Sequence, residues 1–159
     1  MGDVMKRILV VLALGSSVLF AACGSGPTAD TSGAGMQGAA AAQAEVEAAK
    51  RDTPLPPGAT ISVAITDQAG SYESGYGTTL VEGQAICAWF KYWLSAESSN
   101  DETAIAAAQD AAKKIPTWTI YTTADQSFRD LVNSVIDKAT LGDPTPMSAF
   151  VTNNCGPTP

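Results

Sequence analysis

The sequence predicts a mainly α-helical fold, a small bundle of three to four helices with an N-terminal extended arm. Apolar residues recur every three to four positions through most of the second half of the chain. Three of these stretches open on a hydroxyl followed three places later by a carboxylate or amide: Thr79-Leu80-Val81-Glu82, Ser99-Asn100-Asp101-Glu102 and Thr123-Ala124-Asp125-Gln126. At 159 residues and 45% apolar, the chain has material for one modest core and no second domain.

In chain order, residues 1–22 read as an address. Lys6 and Arg7 precede an uncharged apolar run from Ile8 to Leu14, which resumes at Val18-Leu19-Phe20, the pattern of a secretory signal peptide. Met5 stands as an alternative start to Met1, because Asp3 is unusual in the positive region. The following Leu19-Phe20-Ala21-Ala22-Cys23-Gly24 resembles the lipobox of bacterial lipoproteins, with Phe20 where that family usually carries Leu. The resemblance spans residues 5–24 and implies location, not activity. It implies that Cys23 becomes the first residue after cleavage, receives a diacylglycerol and anchors the chain at the outer face of the cell membrane.

Residues 23–38 are dominated by Gly, Ser, Thr and Ala and predict a flexible tether, since they offer little to offset ordering entropy. This spacer is similar in style to those of lipoproteins from high-GC Gram-positive bacteria. Residues 39–53 are alanine-rich, with Gln43, Glu45, Glu47, Lys50 and Arg51, and predict a helix whose cationic end suits its dipole. With Val46 as its only sizeable apolar side chain, it is expected to be a solvated or weakly packed stalk. Removing residues 1–22 takes away Lys6, Arg7 and Asp3 and leaves 7 basic against 15 acidic residues, a net charge of −8. An anionic bilayer repels such a domain, so the tether is expected to hold it clear of the headgroups.

The folded domain is expected over residues 54–159. Ile61, Val63 and Ile65 alternate with polar or small residues, giving either a strand paired with Thr117-Trp118-Thr119-Ile120-Tyr121-Thr122 or, preferred, an extended arm across helices. The first helix should run from Thr79 to about Leu94. Ile86, Trp89, Phe90, Trp93 and Leu94 make it apolar nearly all round and therefore central. The second carries a stripe of small residues, Ala104, Ala108, Ala111 and Ala112, with Ile105 and Ile115, and stops at Pro116. The third buries Phe128, Leu131, Val132, Val135, Ile136 and Ala139 and stops at Gly142; a short fourth opens at Thr145-Pro146 and buries Met147, Phe150 and Val151. With Cys23 committed to lipid by the lipobox resemblance, Cys87 and Cys155 remain as the pair for one disulfide closing the bundle.

Composition excludes several functions. The chain has no His, so no Ser-His-Asp triad, Cys-His dyad or His-ligated metal site is available within it. No acidic run has calcium-loop spacing, no cofactor is implied, and the acidic balance argues against nucleic acid. The most suggestive local run is Tyr72-Glu73-Ser74-Gly75-Tyr76-Gly77, a candidate recognition loop in which Tyr72, Glu73 and Tyr76, with Trp118, contact a sugar or peptide; the alternative is a turn whose tyrosines close the core. Trp89, Phe90, Tyr92, Trp93, Trp118 and Tyr121 are expected mostly inside. Glu73, Glu82, Asp101, Glu102, Asp125 and Asp130 are candidates for paired-carboxylate chemistry, although Glu82, Glu102 and Asp125 fall where helices start. The expectation is a non-catalytic interaction module of the cell envelope, held to the membrane through Cys23 and meeting another envelope protein. A small-ligand or wall-glycan binding domain is the alternative, and a carboxylate-based wall hydrolase a weaker one.

Overall fold

Residues 35–156 are described by the structure, a computed structural model. The expected signal peptide, Cys23 and most of the tether lie outside the described residues. The architecture is mainly helical: α1 (Ala39–Asp52), α2 (Tyr76–Ser99), α3 (Glu102–Ala112), α4 (Thr119–Thr122), α5 (Gln126–Thr140) and α6 (Thr145–Asn154), with a 3-10 turn at Ile115–Thr117. Two short strands, β1 (Met36–Gly38) and β2 (Ser71–Glu73), pair antiparallel with Met36 opposite Glu73. Six helices among the described residues exceed the three to four expected, because α1 joins the domain and α4 forms where the sequence has no helical period.

Helix α2 is the centre, in contact with α1, α3, α4 and α6. Its apolar residues face neighbours on several sides: Ile86, Phe90 and Trp93 are about 1% exposed, and Trp89 is buried with them. They pack with Ala108, Ala111 and Ala112 of α3, Val132 and Val135 of α5, and Met147 and Phe150 of α6. The Phe90 and Phe150 rings meet edge to face at 5.1 Å. The small-residue stripe on α3 serves as expected, letting α2 come close. Cys87 of α2 and Cys155, just past α6, form the disulfide, with Cα atoms 5.6 Å apart.

Residues 39–53 correct the stalk expectation. In α1, Ala42 and Val46 are fully buried and Ala39 and Ala49 nearly so, making a second cluster with Ile65 and Val81. The physical reason lies on the partner helix: at Gly77 a side-chain carbon would sit 2.9 Å from Val46 N, 2.8 Å from Glu45 Cβ and closer still to the Ala42 carbonyl oxygen. Backbone rests on backbone there, so alanines suffice to exclude water. The ordered chain accordingly begins before Pro54, and the last three residues assigned to the tether form β1.

Residues 54–70 hold neither helix nor strand. They cross α1 and α2, anchored where Ile65 N donates to Gln43 Oε1 at 2.7 Å, Ser62 N to Gln84 Oε1 at 3.3 Å and Trp89 Nε1 to Pro54 O at 2.9 Å. The strand alternative with residues 117–122 fails, because Thr119–Thr122 is a helical turn.

The helix starts also differ from the expected capping boxes. Asp101, not Ser99, caps α3 by accepting from Ala104 N at 3.0 Å, and Asp125, not Thr123, caps α5 by accepting from Phe128 N at 2.8 Å. In both cases a carboxylate two residues later outcompetes the hydroxyl, as a charged acceptor at the positive end of a helix dipole should. The Phe128 amide and the Ser127 hydroxyl hold the Asp125 carboxyl below the usual aspartate range. Helix α6 has Pro144 at its N-cap and no side-chain cap; Asp143, one residue earlier, accepts from Thr145 N at 3.0 Å, and that bond lowers its pKa.

Candidate functional site

The run singled out in the sequence is a tight corner between β2 and α2. Tyr72 lies over the backbone of Gly70, where a side-chain carbon would fall 2.7 Å from Tyr72 Cζ. Its hydroxyl donates to Asp67 O at 2.7 Å, and its ring stacks on Tyr76 with centroids 5.1 Å apart and planes at 29°. Partial burial first, then the nearby Asp67 and Tyr76, push the Tyr72 phenol above the usual tyrosine pKa. Tyr76 remains 39% exposed, and Glu73 is exposed. Trp118 is not part of this group. It is buried in the main core, and its neighbour Thr119 approaches the corner instead, with Cγ2 3.6 Å from where a Gly75 side chain would begin.

Below the tyrosines sits a carboxylate that the sequence reading did not single out. The N-cap of α2 is Gly75, which takes φ 89 and offers no side chain as a cap. Glu45 of α1 supplies the missing acceptor, its two oxygens receiving Gly75 N at 2.8 Å and Gly77 N at 3.0 Å. Gly77 leaves room for Glu45, whose Cβ a side chain there would meet at 2.8 Å, and Gly75 supplies the positive φ, so Gly75-x-Gly77 ahead of an apolar helix was the available signal.

Glu82 repeats the device one turn further along. Expected at a helix start, it is instead a buried residue inside α2, 7% exposed. Its carboxylate accepts from Thr119 N at 3.1 Å and Ile120 N at 2.7 Å, the first amides of α4. A four-residue helix has almost no intrinsic stability, so this clamp is what holds its amides in place. Glu82→Ala is expected to destabilise the domain by about 2 kcal/mol, because two amides lose a charged acceptor, and Glu82→Gln by less, because one acceptor survives. Urea unfolding of the two variants checks the order; equal losses would contradict the double-amide role.

The other candidate carboxylates have local partners or none that bring them together. Asp101 and Asp125 cap helices, Asp130 accepts from Gln126 Nε2 at 2.7 Å, and Glu73 and Glu102 are exposed. Among the described residues no three His, Cys, Asp or Glu side chains are grouped to hold a metal ion, and no helix is long and apolar enough to cross a membrane.

Two concavities stand apart from the tyrosine corner. A void of about 10 Å³ lies inside the core beside Trp89, Trp93, Gln109 and Met147, room for a single water-sized sphere. An open groove of about 640 Å³ runs between α2 and α6, lined by Leu94 on one side and by Pro144, Thr145, Ser148, Ala149, Thr152 and Asn153 on the other. No charged side chain lines it, although the chain carries 16 acidic residues. Compared with family models, with characterised proteins and with solved structures, the chain matches none.

Proposed function

We propose that this chain is an extracytoplasmic lipoprotein, anchored through Cys23, whose helical domain is a non-catalytic interaction module for another protein of the cell envelope. The observation that carries this reading is the groove between α2 and α6: it is open, lined by Leu94 and by no charged side chain, on a chain whose net charge is −7. Such a surface suits the small apolar side chains of a protein partner. The carboxylates add support, since Glu45, Glu82, Asp101 and Asp125 each have backbone amides as partners and thus a structural reason to be present.

Crosslinking in native membranes tests the reading. The wild-type chain should give one specific adduct with an envelope protein, and Ala149→Arg, placed on the exposed wall of the groove, should remove that adduct without altering the fold. An adduct indifferent to Ala149→Arg would contradict the groove as the interface. The second reading, a glycan-binding domain, is favoured by the exposed face of Tyr76 stacked on Tyr72. It would gain if wall fragments, and not protein, were recovered and Tyr76→Ala abolished their recovery.

A further inference from the structure

Residues 60–66, the arm that crosses α1 and α2, alternate without a break. Thr60, Ser62, Ala64 and Thr66 are exposed, Ile61 and Val63 are half-buried, and Ile65 is buried with side chains of α1 and α2. That is the pattern of an extended strand lying on a surface. Among the described residues no strand pairs with it, and the main-chain groups of Thr60, Ile61, Val63, Ala64 and Thr66 form no hydrogen bond. Proteins usually protect such an edge with charge, proline or a bulge. Here no charged residue occurs from Thr53 to Thr66, and the prolines stop at Pro57.

The two edges of the arm differ. In an extended chain neighbouring residues turn their N–H and C=O groups to opposite sides. The odd-numbered edge faces α1 and is closed at Ile65, whose N–H donates to Gln43 Oε1 at 2.7 Å and whose carbonyl accepts from Gln68 Nε2 at 2.7 Å. The even-numbered edge faces α2, and its one bond, from Ser62 N to Oε1 of the exposed Gln84 at 3.3 Å, is long and replaceable. Thr60, Ser62, Ala64 and Thr66 therefore present a row of donors and acceptors that another extended backbone matches.

The arm is its own complement. Paired antiparallel with a second copy about a two-fold axis at Val63, it sets Thr60 opposite Thr66 and Ser62 opposite Ala64. Every even-numbered residue then has a partner with which to exchange both main-chain bonds. Threonine pairs across strands are favourable, whereas like charges directly opposite are not. In this register Asp67 falls opposite Ala59, so two chains of net charge −7 meet without facing carboxylates. The closed edge at Ile65 stops the pairing at two copies.

We infer that two copies of this chain join edge to edge through residues 60–66, antiparallel and centred on Val63. The contact is independent of how the chain is anchored, and it shares no residue with the Leu94 groove.

Cysteine crosslinking of the full chain in its native cell tests the contact and its register together. A tagged and an untagged copy are co-expressed in three combinations: Thr60→Cys with Thr66→Cys, Thr60→Cys with itself, and Thr66→Cys with itself. Both positions are exposed, so neither change disturbs the core. In the inferred pair Thr60 of one copy faces Thr66 of the other, while like residues lie about 20 Å apart along the strands. A bismaleimide with a span well below that distance should link tagged to untagged chain several-fold more in the mixed combination than in either like combination. Equal linking in all three, stronger linking of like with like, no link between copies, or a link chiefly to a different protein would each overturn the inference.

Discussion

Replacing Cys87 and Cys155 together by alanine is expected to remove about 4 kcal/mol of stability and to lower the thermal midpoint by about 15 °C. The bridge joins the middle of α2 to the end of α6 across a sequence separation of 68. In the chain-entropy view it restricts the unfolded chain over that whole loop. It also holds α6 in place, a helix of 10 residues whose buried contribution is Met147 and Phe150. Circular dichroism of the oxidised and double-alanine forms checks the figure. The α6 amides should exchange fastest in the variant, since they lose the covalent link first. A midpoint shift of only a few degrees would mean that the unfolded chain is already compact in this region.

The second large effect is at Gly77. Gly77→Ala is expected to cost about 3 kcal/mol, the upper end of overpacking penalties, because the added carbon meets the Ala42 carbonyl and Val46 N, and backbone cannot swing aside. Gly83→Ala on the same helix is the internal comparison. Its new carbon meets only Ile120 Cδ1, at 3.3 Å, the movable tip of a side chain. That change should be close to neutral, as the gain of about 0.5–1 kcal/mol from replacing a mid-helix glycine offsets the small displacement. Hydrogen exchange should further show residues 39–52 losing protection in Gly77→Ala while α3 and α5 keep theirs. Equal behaviour of the two glycine variants would contradict the close crossing of α1 and α2.

These two positions also show what was legible in advance. The stripes of α3 and α5, the central role of α2 and the Cys87–Cys155 pair follow from large or reactive side chains at telling positions, and the structure contains them, except that Leu131, expected in the buried α5 stripe, is 43% exposed. The docking of α1 does not announce itself that way. Its buried face is Ala39, Ala42, Val46 and Ala49, and its complement is a glycine thirty residues away; small residues packed on small residues leave no hydrophobic period to detect. The caps failed for a different reason. Ser99 and Thr123 satisfy the local pattern, but Asp101 and Asp125 stand within two residues and bind the amides more strongly.

Among the candidate site residues, Tyr72, Glu73 and Tyr76 do share one corner, as adjacent positions in a turn must. Trp118 was grouped with them on chemistry alone, and its ring proved more useful inside the core. Glu45 escaped notice and Glu82 was assigned to a helix start, because a carboxylate that caps a different helix carries no local signature: its partners lie 30 and 37 residues away. The groove was likewise hidden, since it forms between Leu94 and a helix fifty residues further on.

The claim on which the functional account turns is the lipid at Cys23. Mass analysis of the N-terminal peptide from the membrane fraction of the native cell tests it most directly. The account predicts a peptide beginning at Cys23 that carries a diacylglyceryl group. A peptide beginning elsewhere, or Cys23 unmodified, would contradict it.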